Sequence, residues 1–345
     1  NRKDNGEGGE LQWVGIIKNR PKQKPFFFWF SAYDAHREWS SQTEGYQHQP
    51  SKDIQVPTNL FDSEETRKDL ALYYNEIARL DHYVGLVMNE LKKEGVFDNT
   101  LIVFTSDNGR PFPGSKTRLY DTGLKTPFIV SWPKMVKGNQ ESNSLLSSID
   151  IAPTLLEVAG VEKPTTVQGV SFKRLLKNPN SPFRDFVFGE HNWHDYSAYE
   201  RSVRTKDGFL YLINKRPEFT NGGPIDANQS PAAIALKQAN SAAKLSVLQK
   251  DVFLKPRPEE EFFDCNTDVY TTTNKIADSQ YADQIKLLRG VLKRWQQETG
   301  DTVPEYLTPD WYDRETGEPL PAKGKRGQMP GASLNASSIN QPGPF

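Results

Sequence analysis

Apolar residues follow two different periods along the chain, and these periods predict strands and helices in alternation. Apolar residues fill positions 26–30 and 101–105 and dominate 126–133, and runs without alternation are typical of strands buried on both faces. Between the first two runs, apolar residues recur at steps of three and four, which predicts an amphipathic helix with one apolar face: Leu70, Tyr73, Ile77, Leu80, Val84, Val87 and Leu91. Asp62 with Glu65 forms a capping box before this helix, and Gly95 ends it. Strand, long helix and strand predict a βαβ unit, hence a parallel sheet.

The pattern changes after residue 185, where shorter apolar segments are separated by turns. Residues 186–190, 202–205 and 209–213 predict short strands, and Asp207-Gly208 between the last two indicates a hairpin. We therefore predict a small antiparallel sheet in this part of the chain. Residues 279–297 predict a further helix with one apolar face: Tyr281, Ile285, Leu288, Leu292 and Trp295.

Polar side chains follow the apolar run at 101–105, where the chain continues as Ser-Asp-Asn-Gly. Ligands of open α/β sheets bind at the carboxyl ends of such strands, and the oxygens of Asp107 and Asn108 are hard ligands of the kind that Ca²⁺ and Mg²⁺ prefer. Taken alone, Asp-Asn-Gly is better explained as a β-turn. The residues that follow favour the site, because Lys116 lies seven positions after Gly109 in a short loop and a second apolar strand comes next.

This order of strand, Ser-Asp-Asn-Gly, lysine-bearing loop and strand resembles the type I sulfatases of the alkaline-phosphatase superfamily. Residues 31–37 are similar to the family's Asp-Pro-His-Arg segment, with Ala35 in place of the usual proline. Residues 148–160 resemble a helix that follows in the family, and residues 189–195 with 201–205 resemble the heparan-sulfamidase branch, which acts on sulfated polysaccharides. The resemblance implies an α/β fold with an alkaline-phosphatase-like, largely parallel sheet flanked by helices, plus a smaller C-terminal antiparallel-sheet subdomain.

The resemblance and the patterning together predict four segments. Residues 1–24 are expected to be a loop or a cut end, and residues 25–180 the remainder of the sulfatase α/β catalytic domain. Residues 181–305 would form the C-terminal antiparallel subdomain. The last segment, 306–345, is rich in Gly, Pro, Ser and Asn, and it predicts an extended tail that is either disordered or wrapped over the surface.

The resemblance implies catalytic roles for four residues. Asp107 and Asn108 would ligate a divalent cation, Ca²⁺ with Mg²⁺ as the alternative, since an Asp-Asn pair suits hard cations whereas a histidine at the second position would suit zinc. Lys116 would clamp the sulfate, whose oxygens gather charge during transfer. His36 would contact the sulfate ester and protonate the leaving sugar oxygen, because imidazole groups exchange protons near neutral pH.

The resemblance also implies a carbohydrate pocket formed by residues of the second half of the chain. His191, Asn192 and His194 are assigned to substrate recognition, since no third nitrogen or sulfur ligand lies at a spacing that would make the two histidines a metal site. Arg201 and Arg204 would pair with a uronate or a second sulfate. The alternative for the two arginines is a pair of salt bridges at a strand edge.

The nucleophile segment of the sulfatases is missing from these residues. The family begins with a Cys-or-Ser, x, Pro, x, Arg segment, whose first residue becomes formylglycine, and with an Asp-Asp pair that supplies further metal ligands. Cys265 lacks the proline and the arginine at the required spacing, and 181–184, Ser-Pro-Phe-Arg, has similar residue types at a different spacing. We therefore expect formylglycine on an N-terminal portion of the same enzyme. That portion would be a separate chain, or it would be absent.

Composition narrows the classes of partner. With 43 basic and 44 acidic residues the net charge is −1, so no overall field would attract nucleic acid or an anionic membrane. No apolar stretch approaches the roughly 20 residues that cross a bilayer. One cysteine forms no internal disulfide and leaves the compartment open. The resemblance favours a periplasmic or secreted location, because sulfatases that attack polysaccharides are generally exported.

The sequence thus predicts a calcium-dependent sulfatase that hydrolyses sulfate esters of a sulfated polysaccharide or its oligosaccharides through formylglycine. One alternative is a phosphodiesterase or phosphonate hydrolase of the same superfamily, against which Asn108 argues. The other alternative is a noncatalytic carbohydrate-binding relative that has lost its nucleophile.

Overall fold

The computed structural model describes residues 8–40, 45–50, 53–302, 306–328 and 341–345. The chain divides into two compact units. Unit 1 is formed by residues 1–113, 126–134 and 226–250, and unit 2 by residues 114–125, 135–225 and 251–345. The four predicted segments do not follow these boundaries, because each unit is assembled from separate stretches of chain, and that division stays a prediction. None of the helices in the described ranges is long and apolar enough to span a membrane.

Unit 1 is built around one long helix. Its helices are α1 (Glu10–Asn19), α2 (Glu64–Lys93), α7 (Pro231–Ser241) and α8 (Val247–Lys250), and its strands are β1 (Ile102–Thr105) and β2 (Phe128–Ser131). A 3₁₀ turn at Phe97–Asn99 leads from α2 towards β1. Helix α2 packs against α1 and α7, around a shared apolar cluster: Ile54, Leu60, Leu70, Ala71, Phe112 and Ala232.

The sequence prediction was correct for the length of α2 and wrong for its cap and much of its buried face. The capping residue is Ser63, whose hydroxyl accepts a hydrogen bond from the Thr66 amide, whereas Asp62 pairs with Arg67. Leu70 and Leu91 are buried as expected, but Ile77 is 41% exposed. Much of the buried face is polar instead: Asp69, Asn75, Glu76, Arg79 and Glu90.

Two further predictions for unit 1 were wrong. Strand β1 pairs with β2 in the antiparallel direction, and residues 26–30 form no strand, with Phe27 68% and Trp29 82% exposed. An apolar run does not specify the strand with which it pairs, so the parallel βαβ arrangement did not follow from it. Residues 1–24 were expected to be a loop or a cut end, and the described part of this segment contains α1, whose Trp13 and Ile17 are buried.

A buried ion pair attaches the segment around His36 to α2. The Arg37 guanidinium donates to both carboxylate oxygens of Asp69, at 2.8 and 2.7 Å, and to the Pro111 carbonyl. The Trp39 indole and the Ala232 amide also donate to Asp69. Asp69 is only 1% exposed, so this network replaces the water that the carboxylate loses on folding.

We expect Arg37→Ala to destabilise the protein by about 3–5 kcal/mol, because it leaves the Asp69 carboxylate buried without its cation. Chemical unfolding followed by circular dichroism measures the loss. The control is Lys68→Ala on the same helix, since Lys68 pairs with Glu64 in solvent and its removal is expected to leave stability unchanged. A loss no larger than that of the control would contradict the anchoring role of Arg37.

Unit 2 contains an antiparallel sheet, as the sequence predicted. Its strands are β3 (Phe186–His194), β4 (Tyr196–Thr205), β5 (Phe209–Asn214) and β6 (Glu260–Asp264), which lie in the order β3-β4-β5-β6. The hairpin between β4 and β5 turns at residues 206–208, and Gly208 has the positive φ of 94° that this turn requires. Strands β3 and β4 are longer than predicted, so residues 191–194 lie within the sheet and not after it.

Helices complete unit 2, and one of them, α9, packs on the sheet. They are α3 (Asp121–Leu124), α4 (Ile151–Ala159), α5 (Lys173–Lys177) and α9 (Ala282–Thr299), and the short α6 (Ile225–Asn228) spans the boundary between the units. Helix α9 buries Ile285, Leu288 and Leu292 against the sheet, which confirms the predicted face. The described part of the tail packs on unit 2, since Trp311 contacts Trp193 with ring centroids 4.6 Å apart.

Candidate active site

The predicted site residues belong to both units. Asp107, Asn108 and His36 are in unit 1, whereas Lys116 and the residues between 191 and 204 are in unit 2.

In unit 1, Asp107 and Asn108 follow β1 directly, as predicted. The Asn108 amide donates to Asp107 Oδ1 at 2.9 Å, and the Asn108 side chain donates through Nδ2 to the Gly109 carbonyl at 2.7 Å. These bonds leave Asp107 Oδ2 and Asn108 Oδ1 as the oxygens that can ligate a cation. Asp107 is exposed and Asn108 half-buried, so a ligand can reach the pair from solvent.

The donor set of these two residues fits a hard cation but covers only part of its coordination shell. Ca²⁺ takes about six to eight oxygen ligands. Within the described ranges, no group of three or more His, Cys, Asp or Glu side chains is placed to hold a metal ion. A cation bound to Asp107 and Asn108 needs further oxygen ligands beside these two residues.

His36 lies in the segment that Arg37 attaches to α2. Its imidazole Nδ1 contacts the Arg37 carbonyl, and Nε2 lies 3.7 Å from Asp226 Oδ2. The side chain is 45% exposed, and its ring contacts Tyr33 with centroids 5.2 Å apart. The imidazole therefore has neighbours at both nitrogens and on its ring, yet enough of the side chain is exposed for a ligand to reach it, which a proton donor requires.

In unit 2, the loop that carries Lys116 is shaped by close backbone contacts. A Cβ atom on Gly123 would lie 2.1 Å from the Arg118 carbonyl oxygen and 2.5 Å from that of Ser115, so only glycine fits there. The Thr122 hydroxyl donates to the Gly114 carbonyl at 2.9 Å, which closes the same loop. Lys116 itself is only 5% exposed, so its ammonium group sits in a largely dehydrated environment.

His194 and Asp195 occur at the turn between β3 and β4, where Asp195 adopts a positive φ of 61°. The His194 Nδ1 lies 3.1 Å from Asp195 Oδ2, which also accepts a hydrogen bond from the Ile225 amide. Burial alone would raise the pKa of Asp195, but these bonds and the positive charge of Lys116 hold it below its ordinary value. Lys116 and His194 are therefore linked electrostatically through Asp195, within one unit.

His191 pairs across the sheet with a residue that the sequence did not indicate. Its Nδ1 lies 3.0 Å from Glu200 Oε2, and the other carboxylate oxygen of Glu200 accepts from Arg257. Burial alone would raise the pKa of Glu200, but Arg257 and then His191 hold it well below its ordinary value. Asn192, the next residue, falls at a bulge in the β3–β4 ladder.

The two arginines are occupied by carboxylates. Arg201 is fully buried and donates to both oxygens of Asp301 at 2.7 Å, the kind of contact that the salt-bridge alternative expects, and its substrate role stays a prediction. Arg204 contacts Asp121 at 3.2 Å, with 22% of its side chain exposed. The substrate role of Arg204 stays a prediction, as do those of His191, Asn192 and His194.

Sequence reasoning missed Glu200, Arg257, Asp195 and Asp226. The pairing of His191 with Glu200 could have been found from the hairpin, because the register that joins 186 to 205 also joins 191 to 200. Ending β3 at residue 190 concealed it. Arg257 and Asp226 come from distant parts of the chain, and their spacing in sequence carries no information about these contacts.

Two family models match overlapping parts of the chain. A sulfatase model matches residues 11–161, and a model of the C-terminal part of N-sulphoglucosamine sulphohydrolase matches residues 115–214. With the relatives described next, these matches define the class. The chain belongs to the type I sulfatases of the alkaline-phosphatase superfamily and is similar to the heparan-sulfamidase branch.

The relatives include enzymes of sulfated glycans. An ulvan-active sulfatase from Formosa agariphila is 33% identical over 261 residues, which is 74% of this chain and 43% of the relative. The human N-sulphoglucosamine sulphohydrolase is 30% identical over 83% of this chain and 63% of its own length. The chain therefore spans about half the length of these curated relatives.

Solved structures share the fold. BT33494S-sulf, from work on the metabolism of multiple glycosaminoglycans by Bacteroides thetaiotaomicron, matches with a TM-score of 0.58 and 18% identity, over 81% of this chain and 56% of that one. At this identity the likeness shows the fold alone. It confirms the predicted alkaline-phosphatase-like α/β class.

Proposed function

We propose that this chain is part of a sulfatase that hydrolyses sulfate esters of a sulfated polysaccharide or its oligosaccharides. The observation that carries the proposal is Lys116, a buried lysine in a tightly shaped loop, in a chain of the sulfatase family. A positive charge held in a loop where little water screens it stabilises the charge that the sulfate oxygens gain during transfer. The ulvan-active and N-sulphoglucosamine-specific names of the relatives support a glycan substrate.

The chain's own residues would divide the chemistry as follows. Lys116 binds the sulfate oxygens and stabilises the charge that they gain during transfer. His36, accessible and held by its Nδ1 contact, delivers a proton to the leaving sugar oxygen. Asp107 and Asn108 would hold Ca²⁺, or Mg²⁺ in its place, and the cation would supply positive charge at the sulfate.

The nucleophile is proposed to come from the N-terminal portion of the same enzyme, as formylglycine. The lengths of the relatives support this, because the matched region is about half of each. The exposed apolar side chains of unit 1 support it as well. Phe27, Trp29 and Ile129 are 68%, 82% and 59% exposed, and a portion that adds strands beside residues 26–30 and β2 would bury them. We propose export to the periplasm or the medium, where the polysaccharide is found.

Sulfate release tests the proposal directly. The protein expressed from its complete gene is incubated with ulvan, heparan sulfate and carrageenan oligosaccharides, and free sulfate is measured by ion chromatography. We expect release from at least one of these glycans and none from phosphodiester or phosphonate substrates. Cleavage of the latter without any sulfate release would reject the sulfatase in favour of the phosphodiesterase alternative.

A further inference from the structure

His191 and Glu200 form a cross-strand pair in the middle of the β3–β4 ladder. The two residues lie directly opposite each other, and their side chains are 12% and 6% exposed. The Nδ1–Oε2 distance of 3.0 Å is that of a hydrogen bond. The geometry therefore fixes the orientation of the imidazole ring as well as its position.

The partners of Glu200 determine which ring nitrogen of His191 carries the proton. Oε1 accepts from the Arg257 guanidinium, and Oε2 also lies 3.3 Å from Asn221 Nδ2. A carboxylate held ionised by these donors can only accept hydrogen bonds. When the imidazole is neutral, its single proton is therefore on Nδ1, and Nε2 is left as an acceptor.

Two acceptor atoms at this place lack a hydrogen bond. His191 Nε2 and Asn192 Oδ1 are both shielded from solvent, and none of the described residues donates to either. A buried polar atom without a hydrogen-bond partner destabilises the folded state, so a ligand that supplies the missing donor is favoured there. The bulge between His191 and Trp193 leaves Asn192 outside the regular ladder, and bulges commonly turn a side chain towards a functional site.

We propose that Glu200 is a positioning residue that holds His191 with Nε2 as an acceptor for a sugar hydroxyl of the substrate, with Asn192 Oδ1 as a second acceptor. The inference rests on the proposed function and deepens it. An acceptor at His191 Nε2 selects a sugar position that carries a free hydroxyl. A sulfate group at that position would bring only acceptor oxygens and would be rejected.

The tautomer of His191 provides a test that does not depend on activity. We expect ¹⁵N NMR of the protein expressed from its complete gene to show His191 protonated on Nδ1, with its signal assigned by its loss in His191→Gln. In Glu200→Gln, Arg257 would retain the amide oxygen and turn the NH₂ group towards His191, so the ring proton would move to Nε2. Glu190→Gln is the matched control. Glu190 is an exposed glutamate that precedes His191 on β3, and its substitution should leave the tautomer of His191 unchanged.

Kinetics with the best glycan substrate test the contact itself. Glu200→Gln is expected to raise KM about 10-fold and to change kcat little. The figure is the lower end of the roughly 10–100-fold effect of removing a residue that orients a metal-bound histidine. This split is the pattern of lost uniform binding, which a general loss of structure would not produce.

Each outcome decides one part of the inference. A wild-type protein with the proton of His191 on Nε2 would overturn it, even if the variant failed to fold. An inverted tautomer with unchanged KM would overturn the substrate contact. Failure of the wild-type enzyme to release sulfate from any glycan would reject the proposed function, whereas the NMR result would still decide the Glu200–His191 geometry.

Discussion

Lys116→Met is expected to lower kcat for sulfate-ester hydrolysis by about 10²–10³-fold, the effect of removing one preorganised electrostatic group from a transition state. Methionine keeps most of the volume and the apolar contacts of the lysine side chain. The lost quantity is therefore the positive charge in a site where Lys116 is only 5% exposed. Charge acts strongly there because water screens it poorly. Initial rates of sulfate release from the best glycan substrate measure the effect.

A matched control separates this effect from a change in the loop. Lys125 lies nine residues further along, immediately after α3, and is exposed. Lys125→Met should retain the activity of the wild type, because a solvated charge contributes little. A Lys116→Met enzyme that folds normally and keeps more than half of its kcat would show that the lysine is not the sulfate clamp. Lys116→Arg, which retains charge but not geometry, should fall between the two.

The helices show what could be predicted from the sequence. The prediction of α9 was correct for its position and for its buried face. One apolar stripe of this helix packs against one sheet, and a 3.6-residue period of apolar residues indicates such a stripe directly. The position of α2 was correct as well, but its buried face carries Asp69, Glu76 and Arg79. Such residues are buried because they form ion pairs or hydrogen bonds with partners tens of residues away, and the spacing of apolar residues does not predict these contacts.

The strands show where prediction failed and why. Residues 26–30 are as apolar as β1, yet they form no strand in the structure, since a strand needs a partner and not only a composition. The candidate site was predictable where it depends on local spacing, as with Asp107 and Asn108 after β1. It was not predictable where a functional side chain depends on a second one, as His191 depends on Glu200 and Glu200 on Arg257.

Asp107→Asn is expected to weaken calcium binding by at least about 100-fold. Losing a residue that only hydrogen-bonds to a metal ligand weakens metal binding by roughly 10–100-fold, and a direct ligand such as Asp107 should matter more. The change removes one charge and keeps an oxygen that can still accept the 2.9 Å hydrogen bond from the Asn108 amide. The local turn should therefore survive, and the lost quantity is attraction for the cation. Hydrolysis of the glycan substrate should fall in parallel and recover partly at high calcium concentration.

Thermal unfolding of the enzyme from its complete gene provides a readout apart from activity. Calcium should raise the Tm of the wild type and a chelator should reverse the rise, since a ligand that binds only the folded state stabilises it. The matched control is Asp98→Asn, an exposed aspartate at the other end of β1, which should keep the full calcium response. If Asp107→Asn also kept that response, the cation would bind elsewhere, and the oxygens after β1 would be those of a simple turn.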